Sequence, residues 1–418
     1  MDGFRLLHRL RLTNILSYGP KAEPIDLEPL NVLIGPNGSG KSNLIEAISL
    51  LKAAPSDLAA PIRTGGGEAE WFWKGELPSD APSSISVTLS LFPRLEMQLL
   101  GADVREEPLS YTLAMVSAGA HFVLVEELIE QPPDCDPGQS LYRRTYRDHG
   151  GTAILKSRVP VEASGGKVYE RRVQEHTASN QSALYESILA QIRDFEHYPE
   201  ITLLGLDFSK IALFRSIGIG LDSKLRGPHR ADEPASFLLE DGRNLGVVLS
   251  DLLNQPPTKR QILKELQRFY TPAEDITTKT YANTVEISVH ERGLNRSIPS
   301  IRLSDGTLRY LALLTILCHP SPPPLVCIED PEVGLHPDIL PRLADLLVEA
   351  SQRMQLIVTT HSDILVSALS HVPEAVVVCE RDDEGTHLRR LDAKHLEEWL
   401  KKYSLGELWS AGELGGNP

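Results

Sequence analysis

The 418-residue chain has no stretch approaching the ~20 consecutive apolar residues that a membrane helix needs, because charges or prolines interrupt every candidate. That predicts no membrane span. Its N-terminus, MDGFRLLHRLRL, lacks an apolar core and a small-residue cleavage site, so no secretory signal is expected. Cysteine is scarce: Cys135, Cys318, Cys327 and Cys379 are widely spread and include no CxxC pair. They read as reduced thiols of a cytoplasmic protein, and zinc-ribbon or zinc-hook readings are poor. Basic residues are in deficit, 42 Lys and Arg against 57 Asp and Glu, for a net charge of −15. A surface that is basic throughout is excluded, although a local phosphate-binding groove is not. Internal repeats, low-complexity segments and helices long enough for an extended coiled coil are also missing.

What is present is an alternation of textures. The apolar run Leu30 to Ile34 suits a buried strand, and Leu44, Ile45, Ile48 and Leu51 recur at helical spacing before Pro55 closes the helix. From about Trp71 to Val173, short alternating runs such as SISVTLSLF, LSYTLAMV and HFVLVEELI predict antiparallel strands. SALYESILAQI and TKRQILKELQRFY read as helices, and ITLLGL and TVEISVHE as strands. After Ser300, apolar helices alternate with buried strands, the pattern of a mostly parallel sheet. The expected fold class is therefore α/β, one domain interrupted by a long β-rich and helical insertion. The expected units are 1–75, 76–294, 295–380 and a C-terminal hairpin and tail at 381–418.

Between the first strand and helix lies Gly35-Pro36-Asn37-Gly38-Ser39-Gly40-Lys41-Ser42, followed by Asn43. This GxxxxGK[ST] run presents successive backbone N–H groups to phosphate oxygens, with Lys41 reaching the β- and γ-phosphates and Ser42 able to ligate Mg²⁺. The helix that starts there points its positive end at the same anion. A second element is needed for hydrolysis, and the strand Leu325 to Ile328 ends in Glu329-Asp330. One carboxylate would hold the metal and the next would orient the attacking water. Leu303-Ser304-Asp305-Gly306-Thr307 precedes an apolar helix, so Ser304 is a candidate N-cap and the helix start a second anion site. Ile357 to Thr360 ends another strand at His361, an imidazole placed to sense a γ-phosphate.

In combination these segments resemble the ABC-type ATPases of the SMC/RecF/OLD superfamily, and more narrowly stand-alone RecF-like predicted ATPases. The resemblance rests on LNVLIGPNGSGKSNLIEAISLL, RLSDGTLRYLALL, LVCIEDPEVGLHP and LIVTTHSDIL, about a third of the chain. It implies a P-loop NTPase head with an inserted arm. Gly35 to Asn43 would be the ATP cradle, and Ser304, Asp305 and Gly306 a signature loop reaching the γ-phosphate held by a second copy. Ser42 and Glu329 would be the Mg²⁺ ligands, Asp330 the water-activating base, His361 the switch histidine and Gly334 to His336 the D-loop region. An ATP-sandwich homodimer follows, serving DNA maintenance or phage defence. Glu-Asp stands where the family has Asp-Glu or Glu-Glu, and the shorter second acid implies slow turnover. No Q-loop glutamine is recognisable, the first after Ser42 being Gln98.

Other readings compete. A transporter's ATP-binding subunit fits poorly with so large a β-rich insertion, whereas a regulatory ATPase acting through a protein partner, a nuclease or a toxin, fits well. Glu380, Asp382 and Asp383 could imitate a nuclease's acidic centre, but the segment reads better as a hairpin turned at Asp383-Glu384-Gly385, and the 57 residues after His361 leave no room for a Toprim domain. Candidate DNA contacts are Arg143, Arg144 and Arg147 interleaved with Tyr142 and Tyr146, then Arg171-Arg172, then Lys224, Arg226, His229 and Arg230. Trp399 and Trp409 are expected to dock the tail on the core.

Overall fold

The computed structural model describes residues 3–78, 81–91, 108–118, 121–131, 140–147, 150–163, 166–178, 185–218 and 220–416. The amphipathic patterns of the two ends of the chain meet in one parallel sheet. Strands β1 (Leu7–Thr13), β2 (Ile25–Asp26) and β3 (Leu30–Ile34) lead into helix α1 (Lys41–Ala53). An antiparallel series follows: β4 (Ser83–Leu89), β5 (Leu109–Ser117), β6 (Phe122–Glu130), β7 (Ser140–Arg147), β8 (Gly150–Ala163) and β9 (Gly166–Ala178). It continues the sheet begun by β1 and β2, in the order β2-β1-β4-β5-β6-β7-β8-β9.

Helix α2 (Pro199–Ser209) contains the run ITLLGL, which the sequence reading takes for a strand. Pro199 occupies the first helical turn and the helix is buried on nearly every side, so its apolar run carries no helical periodicity. Among the described residues of SALYESILAQI, the helix is short, Ile188–Gln191. Then come β10 (Ala212–Phe214), β11 (His229–Arg230), α3 (Leu245–Leu253), α4 (Pro256–Phe269), β12 (Ala273–Tyr281), β13 (Thr284–Glu291), β14 (Ile298–Pro299) and α5 (Asp305–Leu317). The chain returns through β15 (Leu325–Glu329), α6 (Leu340–Ala350), β16 (Gln355–Thr359), β17 (Val376–Asp382) and β18 (Gly385–Arg390).

The second sheet has the order β10-β15-β16-β3-β17-β18, parallel except for its last pair. Strand β10 comes from the middle of the chain, so residues 76–294 are shared among three sheets: the antiparallel one, this parallel one, and a small one built from β11, β12 and β13 with β14.

Parallel strands covered on both faces read as continuous apolar runs, and all five residues of β3 are buried. Their alternation sorts them into two cores. Leu30, Val32, Ile34, Val326, Ile328, Leu356 and Val358 pack with helices α3 to α6. Leu33, Leu325, Cys327, Ile357 and Cys379 face α1 and the antiparallel sheet. Each such Leu or Ile stabilises the fold by about 1.5–3 kcal/mol. Two buried amides stitch the layers. Gln355 accepts from the Leu7 N–H (2.8 Å) and donates to its carbonyl (2.7 Å), while Asn31 donates to Leu356 O (3.1 Å).

Cys318, Cys327 and Cys379 are free and buried, and Cys135 and Gln98 lie outside the described residues. The expected hairpin is present, with Asp382 paired to Gly385 and Asp382 Oδ1 accepting the Glu384 and Gly385 N–H groups. Glu380 takes the Gly416 N–H of the tail (3.0 Å). Trp409 is fully buried as expected, but Trp399 is 46% exposed and lies beside Tyr403 instead of docking. Among the described residues no helix is long and apolar enough to cross a membrane.

Candidate nucleotide site

Strands β3, β15 and β16 end side by side, with β16 in the middle, so the loops that follow them converge. After β3 the chain turns through Gly35 (φ 148°), Gly38 (φ 79°) and Gly40 (φ 104°), which L side chains rarely adopt. A Cβ on Gly35 would lie 2.2 Å from Cys379 O, and one on Gly40 2.2 Å from Thr386 Oγ1, whereas one on Gly38 would meet nothing. The loop is pinned from behind and open in front. Tyr18 donates its hydroxyl to Gly40 O (3.1 Å), and Thr386 Oγ1 donates to Ser39 O (2.8 Å) beside Ser17 Oγ. Pro36 is half-buried, Asn37 is exposed and Asn43 is half-buried at the rim.

Lys41 begins α1, and its Nζ donates to Gly35 O (2.7 Å) and Pro36 O (2.9 Å). Burial holds its pKa below the ordinary lysine value, with Cys379 and Asp330 opposing. The exposed Ser42 donates from Oγ to Glu329 Oε2 at 3.2 Å. Burial pushes the Glu329 carboxyl up, opposed by Arg215 and Ser42. A hydroxyl and a carboxylate are hard oxygen donors suited to Mg²⁺, and a glycine loop at a helix start suits phosphates, so these residues fit Mg-ATP.

Asp330 adopts φ 44°, a left-handed conformation that Asp tolerates better than most side chains. Among the contacts that hold it are its N–H on Thr359 O (3.2 Å), the Thr359 hydroxyl on its Oδ1 (3.0 Å), and the Val333 N–H (3.2 Å) and Arg309 Nη2 (2.8 Å) on its carbonyl. Glu332 Oε1 accepts from the Thr360 hydroxyl (2.7 Å) and the His361 N–H (2.8 Å). The His361 side chain is exposed at the mouth of these loops.

Ser304 caps α5, accepting from the Thr307 N–H (3.1 Å). Asp305 pairs with Arg226, which also donates to Ile301 O (3.1 Å) and Leu303 O (2.6 Å). A Cβ on Gly306 would meet Gly334 O at 2.8 Å, so the turn at Ser304–Gly306 lies directly against the loop after β15.

A family described as "AAA domain, putative AbiEii toxin, Type IV TA system" matches residues 30–93 and 138–367, well over half of the chain. The chain belongs to this family. It is a P-loop ATPase-type protein of the SMC/RecF/OLD-like superfamily. The "Old nuclease" of Escherichia phage P2 is 36% identical over 94 residues, a match spanning 22% of this chain and 16% of that relative's length. Two solved structures share the fold. A crystal structure of the SmcHead bound to the C-winged helix domain of ScpA superimposes with a TM-score of 0.53 at 16% identity, covering 93% of this chain and 99% of that one. An Smc head domain with an extended coiled coil, bound to the C-terminal domain of ScpA derived from Pyrococcus furiosus, gives 0.50 at 12% identity, covering 95% and 99%.

The arginine cluster expected to contact DNA is altered by the structure. Arg143 is exposed on β7, but Arg144 is 3% exposed and donates to Glu186 O (3.1 Å). In the β6–β7 register it sits opposite Glu127, so the fold uses its charge internally. Tyr142 is buried beside it. The side chains of Tyr146, Arg147, Arg171 and Arg172 lie outside what is described. In the third cluster Arg226 is held by Asp305 and His229 is buried, while Lys224 and Arg230, with side chains 58% and 68% exposed, make only surface pairs with Asp241 and Asp232.

Reading the sequence alone overlooks Glu332, Arg309, Thr386 and Arg215. Arg215 follows β10 and donates from Nε to Glu329 Oε1 (3.0 Å) and from Nη2 to Glu46 Oε2 (3.2 Å). Only the pairing of β10 with β15 reveals it.

Proposed function

We propose that the chain binds ATP with Mg²⁺ in the Gly35–Asn43 cradle and hydrolyses it slowly. The observation that carries this reading is the meeting of the Ser42 hydroxyl and the Glu329 carboxylate beneath the glycine loop, with Asp330 next in the chain. Bound with ATP, Mg²⁺ neutralises the phosphate oxygens. Lys41 exchanges its loop carbonyls for phosphate oxygens, Asp330 takes the proton of the attacking water, and His361 closes over the γ-phosphate.

Ser304, Asp305 and Gly306 complete the site of a second copy. Ser304 is exposed at a helix N-terminus, and the apolar Ile301 and Val333 stand exposed near it, 58% and 48%. An Asp330→Asn protein is expected to elute as a dimer with ATP and as a monomer without; one elution volume in both conditions sinks the sandwich. Turnover is tested by wild type, Lys41→Ala and Asp330→Ala, each with and without duplex DNA. Loss in both variants is expected, and equal rates in wild type and Lys41→Ala overturn the reading.

The effector is either DNA, in maintenance or phage defence, or a protein. The internal use of Arg144 and Arg226 favours a protein partner. The heads seen with ScpA, and the toxin and nuclease in the names of relatives, suggest its kind. Stimulation of turnover by duplex DNA would instead favour DNA.

A further inference from the structure

Arg215 takes no part in the reading above, yet it touches that reading's central carboxylate. Its place is set by backbone pairing. Strands β10 and β15 run parallel with Leu213 beside Cys327 and Phe214 beside Ile328, so the next residues along, Arg215 and Glu329, fall side by side. The contact therefore follows from the register. Both oxygens of Glu329 are engaged, Oε1 by Arg215 Nε at 3.0 Å and Oε2 by Ser42 Oγ at 3.2 Å. The guanidinium also reaches Glu46, one turn beyond Ser42 on α1, and so spans two carboxylates on neighbouring elements.

An arginine keeps its charge at every pH the protein survives, so protonation cannot relieve a conflict with a second cation. A divalent ion at Glu329 would put two positive centres on one carboxylate. Even at a water-like dielectric, a divalent and a monovalent charge about 5 Å apart repel enough to weaken binding roughly tenfold. Arg215 also has somewhere to go. Its side chain is 46% exposed, and it borders an open cleft of about 600 Å³ lined by Glu46, Lys52, Trp71, Ser216 and Glu240.

We propose that Arg215 is a resident counter-ion of Glu329, which a divalent cation must displace before it can share that carboxylate with Ser42. Arg215 is thus a positioning residue that sets the metal concentration at which the site loads. The inference rests on Glu329 being the metal carboxylate of the proposed ATPase.

The test uses the full chain and MgCl₂ alone, with the thermal melt as readout. Arg215→Ala and Arg215→Gln should respond to MgCl₂ at roughly tenfold lower concentration than wild type. Arg215→Lys, which keeps the charge, should stay close to wild type. Adding Glu329→Gln to Arg215→Ala should abolish the gained response. Identical midpoints in wild type, Ala and Gln overturn the proposal, as does no response in any variant or a gain that survives Glu329→Gln. If the Ala variant does not fold, Gln and Lys still decide. Because no nucleotide is present, a failure of ATP turnover leaves this measurement intact. A wild type that turns over ATP but shares its Mg²⁺ midpoint with Arg215→Gln removes the counter-ion and keeps the ATPase.

Discussion

Two arginines in this molecule stand beside a glutamate of a neighbouring strand and are placed differently. Arg215 lies beside Glu329 on neighbouring parallel strands, with side chains 46% and 13% exposed. Arg144 lies opposite Glu127 on neighbouring antiparallel strands, with residues 3% and 0% exposed. Glu127 also accepts hydrogen bonds from Tyr111 (2.9 Å), from Ser187 and from the Ile188 N–H (2.9 Å), joining β5, β6 and the turn after residue 187. Among oriented partners in the dry interior, a carboxyl becomes part of the framework. At the open end of the sheet it remains exchangeable, because water can replace whatever it releases.

The strongest way to sharpen this contrast is at the open end. Asp330→Asn should lower ATP turnover by about 10²–10⁴, while stability changes little, because Asn tolerates the same left-handed backbone and its Oδ1 still accepts from the Thr359 hydroxyl. A large loss of melting temperature in that variant would erase the distinction. The buried carboxyl should behave in the opposite way: Glu127→Ala strands three buried donors, so chemical denaturation should report a loss of about 3–5 kcal/mol. Turnover per folded molecule should hold.

A gentler probe is pH. Burial pushes the Glu127 carboxyl above its ordinary 4.5, outweighing its hydrogen bonds and Arg144. The folded chain then holds a proton that the unfolded chain has released, so this group's contribution is full below about 4.5 and is lost as pH rises through the raised value. Glu127→Gln should flatten that decline in melts run from pH 4.5 upward, and an unchanged slope would place the titration elsewhere. The smallest effect belongs to Arg143. Arg143→Glu should change the slope of log affinity for DNA against log salt by about 1 if that side chain meets a phosphate, and by nothing if the effector is a protein.

Where chemistry follows chain order, the sequence is a good guide. The strand, glycine turn and helix of residues 30–53 are consecutive, so motif and geometry coincide. Ser304 is visible as a cap for the same reason, since its partner Thr307 is three residues away. Arg215 is hidden because its significance depends on a three-residue strand pairing with one more than a hundred residues later. The misread α2, just upstream, obscures that strand further. Arg144 was half legible: a period of two puts it on the face of Tyr142, and an aromatic face usually turns inward. What the sequence could not supply was Glu127, the acid waiting opposite.

The position of β3 sets a problem in time as well as space. Its five buried residues are made well before the strands on either side, β16 and β17, which are more than three hundred residues further along. At roughly 5–20 residues per second, a ribosome leaves that apolar ribbon and its phosphate loop unflanked for tens of seconds. Contacts of such long range also close slowly. The nascent chain therefore has to shelter its most characteristic segment before it can use it, and the antiparallel strands that follow α1, packed in the same core layer, are the first surface available for the task.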